Sequence, residues 1–577
     1  MSLSGAIAAG RSALNASQVG LQVTSNNTAN ASTPGFTRQV AFLEPLRGSS
    51  ESSTSGVGKG VRIREVRRQI DEALEARLRA STSDEAAASQ RSQTMTSIES
   101  ILGELGEDDL STNLTSFFGA WSEVANSTGS GSVAVQQGQR LADLFHQFRS
   151  DLIGQRTLAD RQLGQGVDRA DDLLDQVASL NRAIANSETS GGEAGALRDQ
   201  RDRSLAELSQ LMDVTAVPQA SGMIDVLVGS TPVVLGDVSR GVELERTSVD
   251  GQAVVSVRVR ADGQRLDVRS GQVGALLSER SGTIDATIDR VDELAARVIF
   301  EVNKIHGTGT PPGGYQRLSG SLGVAVNDRA LSINDPANQT FNDLPFQATS
   351  GSFLVHVKDP QGRLTSTRID IDLDGLNSAG VRGFADDTSP ETLRAALGAI
   401  PGLNASFDGE GKLVVAAEAG HTFSFGDDSS GALAVLGVGG FFSGGGAADI
   451  QVRTELSGNP NRLASGRIVN GTLVDNGTTK LIAGLQERSL TALEGRTIGQ
   501  AWNDVVLDVG SRSAGAQTQA QAASIVRENL EGQRAAVSGV SLDEEAVNLL
   551  AYQRQFQGAA RVITVANEML DQLIALV

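Results

Sequence analysis

The chain has 577 residues, 4 % of them aromatic, no cysteine and a formal charge of −20. Such a length predicts several domains, and the missing cysteines exclude disulfides, thiolate nucleophiles and cysteine metal sites. The negative balance argues against a general nucleic-acid or anionic-membrane surface, and no run approaches the ~20 apolar residues of a membrane span.

The opening stretch "MSLSGAIAAGRSAL" lacks a basic segment, and Arg11 interrupts its apolar run, so it does not read as a cleaved secretory signal. Ile7, Leu14 and Leu21 recur every seven residues, which predicts an amphipathic helix over about 2–24. "NNTANASTPGFTRQV" (26–40) then predicts a helix stop, an Asn-rich loop and a reversal. Asn, Ser and Thr side chains compete with the backbone for hydrogen bonds and favour caps and turns. Pro34 and Gly35 suit the two central positions of a type II turn, and Phe36 supplies an apolar anchor. "VRIREVRR" (61–68), the one plausible basic patch, reads as a solvated face of a strand-to-helix transition rather than a ligand site. Long helical tracts follow at 70–106, 141–188 and 196–214.

The middle changes character. Short alternating runs with Asp-Gly turns predict a small β domain over 215–272. Residues 282–309 return to helix, and "TPPGG" (310–314) reads as a linker. A second β-rich region follows over 315–449, with one short helix at "SPETLRAALGAI". Helix resumes over 502–537, with Val509, Ala516, Ala523, Leu530 and Val537 at heptad spacing. The same spacing runs through Leu542, Leu549, Phe556, Ile563, Leu570 and Val577, with companions four residues on at Ala546, Gln553, Ala560, Asn567 and Ile574. This a/d seam predicts a rod of roughly 53 Å, with Asp543, Glu544 and Glu545 at the helix N-terminus, where carboxylates are favoured. A helix with no domain after it needs a partner, most economically the N-terminal helix and neighbouring subunits. An intramolecular coiled hairpin without an assembly role stays open.

Candidate chemistry is thin. "IDIDLDG" (369–375) spaces Asp370, Asp372, Asp374 and Gly375 like the start of a calcium loop, but its twelfth position is Val381 where a Glu is needed. Ile369, Ile371 and Leu373 alternate with the aspartates, so a half-buried strand is the better reading. His146, His306, His356 and His421 lack ligand spacing and read as packed or surface residues. "GVGGFFSGGGAAD" (437–449) has no phosphate-loop Gly-Lys-Ser/Thr and reads as flexible turns. No catalytic, cofactor-binding or metal residue is predicted, and the chain does not read as an enzyme.

"NNTANASTPGFTRQ" resembles the signature of the flagellar rod and hook axial family, an Asn-Asn-x-Ala-Asn-x-x-Thr-Pro-Gly-aromatic segment after the first helix. Thr28 stands where that family usually has an aliphatic residue, and Phe36 where Tyr is common. The segment "SGVSLDEEAVNLLAYQRQFQGAARVITVANEMLDQLIALV" (538–577) is similar to the end of the hook–filament junction members, as are "ALRDQRDRSLAELSQL" and "LAARVIFEVNKIHGTG". The resemblance covers the helical parts and the first β domain.

It implies a structural subunit of the bacterial flagellum, joining hook to filament and self-assembling as a ring layer around the export channel. Its implied partners are copies of itself, hook protein, a second junction protein and a cytoplasmic export chaperone at the C-terminal helix, with no cofactor, nucleic acid or membrane insertion. The implied location is the extracellular flagellum, reached without a cleaved signal peptide. Hook protein, distal rod protein and, more remotely, a secreted adhesin using 315–449 are the alternatives.

The fold class expected is multidomain α+β. Terminal helices (1–47 with 538–577) form a coiled-coil-like inner domain, and a long-helix bundle (48–214, 280–312, 452–537) forms a stalk. A small β domain (215–279) and a β-rich variable outer domain (313–451) are inserted. The assembly interface expected on this basis comprises Ile7, Leu14, Leu21, Asn26, Asn27, Asn30, Thr33, Pro34, Gly35 and Phe36 at one end. At the other it comprises Leu542, Leu549, Phe556, Ile563, Asn567, Leu570, Ile574 and Val577. "GSSESSTSGVGKG" (48–60) is expected to be a flexible extension of that interface. Such terminal stripes are expected to stay partly disordered until neighbours bury them.

Overall fold

The structure, a computed structural model, describes residues 3–46, 58–103, 109–126, 131–189, 192–249 and 252–575. Helix α1 (Leu3–Ala29) leads into the antiparallel strands β1 (Gln39–Pro45) and β2 (Val61–Arg68). Helices α2 (Glu72–Leu102), α3 (Leu110–Asn126), α4 (Ser132–Glu188) and α5 (Gly195–Leu211) follow. They can run this long because no proline occurs between Pro45 and Pro218.

The antiparallel strands β3 (Val214–Pro218), β4 (Ile224–Val228), β5 (Thr231–Leu235) and β6 (Val238–Ser239) form one sheet in that order. A second sheet comprises β7 (Val242–Val249), β8 (Gln252–Val259) and β9 (Arg265–Leu266). Helix α6 (Gly271–Glu279) passes through a π turn at Arg280–Asp285 into α7 (Ala286–His306). Then come β10 (Arg317–Gly323), α8 (Gln339–Asn342), β11 (Gly351–Lys358), β12 (Leu364–Ile371) and α9 (Pro390–Gly398). Strands β13 (Leu403–Phe407), β14 (Lys412–Ala417) and β15 (Thr422–Gly426) lead to α10 (Ala432–Val435). The short pieces β16 (Phe442–Ser443), β17 (Gln451–Val452), α11 (Thr454–Ser457), β18 (Arg467–Val469), β19 (Thr472–Val474) and α12 (Gly477–Ala483) follow. Two long helices close the chain, α13 (Ile498–Ser538) and α14 (Leu542–Ala575). Segment 452–497, expected to belong to a helical stalk, is thus built of short elements, and long helix resumes only at Ile498.

By internal packing the chain divides into two units. The first comprises Met1–Thr94, Leu158–Arg280 and Ala514–Val577. In it Leu74 and Leu78 of α2 bury against Leu530 of α13, flanked by the ion pairs Arg534–Glu75 and Arg527–Glu85, each 2.6 Å. The β region expected near 215–272 is here. Ile224, Val226 and Val228 of β4 are buried while Asp225 and Leu227 between them are partly exposed, the period-2 pattern of a half-covered strand. Asn181 of α4 ties this sheet down, donating from Nδ2 to the Ile224 carbonyl (2.7 Å) and the Gly236 carbonyl (2.6 Å).

The second unit comprises Met95–Thr157 and Ser281–Ser513. It holds the antiparallel sheets β10-β14-β13 and β12-β11-β15. Helix α9 starts at a capping box in which Ser389 accepts from the Thr392 N–H and the Thr392 side chain accepts from the Ser389 N–H. The alternation read in "IDIDLDG" holds for its first three residues, with Ile369 and Ile371 buried and Asp370 facing out beside Arg368 at 2.6 Å.

Two sequence expectations are corrected in this unit. The Gly-rich stretch 437–449 is not a set of flexible turns, because Phe441 and Phe442 are fully buried. Their backbone N–H groups donate to Asn303 Oδ1 at 2.8 and 2.9 Å, and their rings pack against α3, both tilted on Phe117 and Phe441 edge-on to Trp121. The supposed linker 310–314 is a fixed turn whose Thr310 bridges Gly466 through hydrogen bonds of 2.7 and 3.0 Å.

His306 lies wholly inside this aromatic core. Its Nδ1 sits 2.6 Å from the Gly439 carbonyl, and its Nε2 accepts from the Ala464 N–H at 3.2 Å. Those partners fit only the neutral ring that carries its proton on Nδ1. Burial lowers its pKa from 6.5 to about 4, against the pull of the Gly439 carbonyl. A depressed value means the stability linked to this group is complete above pH 6.5 and drains away as pH falls towards 4. His306→Gln is therefore expected to flatten the unfolding-midpoint profile across that window, followed by circular dichroism. An unchanged slope would refute the assignment.

No helix among the described residues is long and apolar enough to cross a membrane.

Candidate assembly interface

Within the first unit, α1 and α14 lie antiparallel in close contact. A Cβ placed on Gly10 would stand 2.8 Å from Ile563 Cγ1, and one on Gly20 would stand 2.5 Å from the Tyr552 ring. Glycine is what permits this approach. The buried positions of α1 include Gly10, Ser17 and Thr24 on one line, and Gly20 and Asn27 on another, each seven apart. Ile7, Leu14 and Leu21, the apolar line expected to face the partner, are only half-buried. A furrow of small side chains, rather than a ridge of large ones, receives α14.

On α14, Leu549, Phe556, Ile563 and Leu570 are half-buried, as an inward line should be. The companion line is corrected. It runs through Glu545, Tyr552, Ala559 and Ala566, one residue earlier than the expected Ala546, Gln553, Ala560, Asn567 and Ile574. The reason is the furrow: the Tyr552 ring seats over Gly20, which sets the rotation of the helix. Asn567, Ile574 and Leu542 are exposed, and Val577 lies outside the described residues. The seam expected to lie open in a lone chain is thus turned onto α1, a second correction.

The Asn-rich stretch departs from expectation too. Helix α1 does not stop near residue 24 but runs to Ala29, taking in Asn26 and Asn27. Its polar side chains find partners that helical backbone allows. Thr28 Oγ1 donates to the Thr24 carbonyl at 2.8 Å, and Asn30 Nδ2 to the Asn26 carbonyl at 2.9 Å. Buried Asn27 clamps the start of β1 twice, Nδ2 donating to the Gln39 carbonyl (2.9 Å) and Oδ1 accepting from its N–H (3.0 Å). The reversal is as expected: Phe36 N–H donates to the Thr33 carbonyl at 3.2 Å, and Gly35 has φ +76°, as the third residue of a type II turn requires. Thr33 and Pro34 are exposed, whereas Gly35 and Phe36 are half-buried. Gly35 also lies against the Arg203 stem of α5, where a Cβ would meet it at 2.8 Å.

Four stretches distant in sequence converge just past this turn. Arg38 reaches the first turn of α14, pairing with Glu545 at 2.8 Å and Glu544 at 2.6 Å, and its N–H donates to the Ser538 carbonyl. Thr37 N–H points to Asp199 at 3.4 Å. Asp199 shares the buried guanidinium of Arg68, at 2.8 Å, with Asp202 (2.7 Å) and Glu193 (3.1 Å). Burial pulls the Arg68 pKa down, but Asp202 and Asp199 outweigh it and hold the group above its ordinary value. Of "VRIREVRR", then, Arg62, Arg64 and Arg67 are solvated as expected, and Arg68 is a buried anchor. The signal available in the sequence was the pair of aspartates in "ALRDQRDRSLAELSQL", Asp199 and Asp202, three residues apart on one helix face.

The opposite face of α14 has no partner among the described residues. Val547, Leu550, Val562, Val565 and Met569, which lie off the two lines that meet α1, are each about half exposed or more. They recur at three- and four-residue steps, interrupted by Arg554 and Gly558, and so form a second apolar stripe along the helix. Of the expected flexible extension 48–60, residues 48–57 lie outside the described residues. Gly60 is packed against Ala9 and Ser12 of α1.

Comparisons with known proteins bear on this arrangement. The family model described as Flagella basal body rod protein matches residues 7–37, which contain the furrow and the turn. That for the C-terminal part of Flagellar basal body rod FlgEFG protein matches residues 533–576, and that for the Flagellar hook-associated protein FlgK helical domain matches residues 95–323. The chain is 24% identical over 597 residues to flagellar hook-associated protein 1 of Escherichia coli (strain K12), covering 98% of each. It is 24% identical over 582 residues to that of Bacillus subtilis (strain 168), covering 98% of this chain and 96% of the other. The solved structure of the flagellar hook junction protein FlgK from Burkholderia pseudomallei matches in fold, with a TM-score of 0.52 at 16% identity, covering 80% of this chain and all of that one.

Proposed function

We propose that this chain, whose likeness to flagellar hook-associated protein 1 spans almost its whole length, is a structural subunit of the bacterial flagellum that joins hook to filament. In this reading it works outside the cell as part of a polymer and catalyses nothing. Copies assemble through their terminal helices into a ring layer around the export channel, with hook protein on one side and a second junction protein on the other. Before export, a cytoplasmic chaperone covers the exposed face of α14.

The observation that carries this reading is the second stripe of α14. One face of the helix is covered by α1, so the chain does not need the rest for its own pairing, yet Val547, Leu550, Val562, Val565 and Met569 stand exposed away from that contact. Solvent-exposed apolar stripes of this length mark a docking surface, and burial would return roughly 25 cal/mol per Å2 removed from water.

Val562→Asp with Val565→Asp tests it. Both side chains are close to half exposed, at 48% and 43%, so the purified variant should unfold within about 0.5 kcal/mol of the parent. It should still be exported, but be shed into the medium instead of entering flagella, leaving cells non-motile. Wild-type swarming by cells carrying only the double variant would overturn the proposal.

A further inference from the structure

We propose that the loop following β12 holds a calcium ion, bound by Asp372, Asp374 and Asp387. Each of these carboxylates offers an oxygen within 4.8 Å of the others. Oxygens that close can share one ion at calcium's bond length of about 2.3–2.6 Å. None of the three forms an ion pair with lysine or arginine among the described residues, so no cation in direct contact offsets their mutual repulsion.

The second observation is Asp387 itself, which is only 3% exposed. Its Oδ2 accepts from Asn334 Nδ2 at 2.7 Å and from the Gly375 N–H at 3.1 Å, while its buried Oδ1 has no partner among the described residues. Asn334 Oδ1 alongside is likewise buried and unpartnered. A buried carboxylate oxygen without a hydrogen bond is costly, and such groups in native proteins are paired or coordinate metals. An all-oxygen, carboxylate-rich donor set suits a hard divalent cation.

The backbone is built to hold these groups. The Asp372 N–H donates to Thr388 Oγ1 at 2.9 Å, and the Thr388 N–H returns to the Asp372 carbonyl at 2.6 Å, closing the loop at its neck. The Leu376 N–H fixes Asp374 Oδ1 at 2.8 Å. The spacing of aspartates in "IDIDLDG" therefore carries two meanings. Asp370 belongs to the strand and faces away, beside Arg368. Asp372 and Asp374 lie past the strand end, and Asp387 takes the place of the acidic ligand missing at Val381.

Equilibrium dialysis of the full chain against radioactive calcium tests the proposal. One ion per chain is expected, with Kd on the order of 10⁻⁴–10⁻³ M. Asp374→Asn, at an exposed position that keeps its hydrogen bond to Leu376, should weaken binding at least about tenfold. Asp370→Asn should leave binding unchanged. Occupancy below about 0.1 at ~5 mM calcium, or equal losses from the two variants, would overturn the site, and magnesium binding as tightly as calcium would overturn the choice of ion.

Discussion

Gly20→Leu is expected to part the two terminal helices and leave cells non-motile, with the protein shed rather than incorporated. Already the first carbon of a new side chain would stand 2.5 Å from the Tyr552 ring, well inside van der Waals contact. Leucine carries three further carbons into the same space. Overpacking of a close contact costs typically ~1–3 kcal/mol, whereas the gain in helix propensity over glycine returns only about 0.8 kcal/mol. The clash wins. Gly20→Ala should give a milder loss of the same sign, and combining Gly20→Leu with Tyr552→Ala should restore part of it by vacating the space. Protease sensitivity of the 542–575 segment, with swarming diameter, measures both levels. If Gly20→Leu assembles normally and leaves that segment protected, the furrow is not what seats α14.

Arg68→Ala is expected to be the most damaging single change to the first unit. The guanidinium, 5% exposed, is the shared counter-charge of Asp199, Asp202 and Glu193. Removing it leaves three carboxylates crowded together, with Asp199 itself buried. Breaking a buried ion pair from one side costs ~3–5 kcal/mol, because the abandoned charge stays where water cannot solvate it. Urea denaturation should show that loss in the transition of the unit that contains β2 and α5. Arg68→Ala with Asp199→Asn and Asp202→Asn should recover part of it, since the stranded charges are then gone. A loss below about 1 kcal/mol for the single variant would mean the cluster is solvated like a surface pair.

What could be read from the sequence followed the strength of each local signal. The turn at Pro34–Gly35 was legible because its two residues have few other uses, and the strand at Ile369–Ile371 because only one of its faces is buried. The line Leu549, Phe556, Ile563, Leu570 was legible as a heptad. Its companion was not, because steps of three and four residues both fit an a/d seam and the rotation is decided by the partner. That partner hid itself: a scan for large apolar residues on α1 stops at Ile7, Leu14 and Leu21, while the contact is made through Gly10 and Gly20. The run through Asn26 and Asn27 reads as loop from sequence because such side chains compete with the helix backbone in isolation. Here tertiary contact with Gln39 redirects it. The β-rich region after Tyr315 could be recognised only as β, and its buried Gly-Phe-Phe stretch resembles a hinge until Asn303 is placed beneath it.

The pairing of α1 with α14 joins segments separated by more than five hundred positions. Any product truncated ahead of Leu542 would carry an empty groove at Gly10 and Gly20. The contact thus tethers the two most distant parts of the first unit to each other, so a lesion in either helix is felt in the other although they lie at opposite extremes of the numbering.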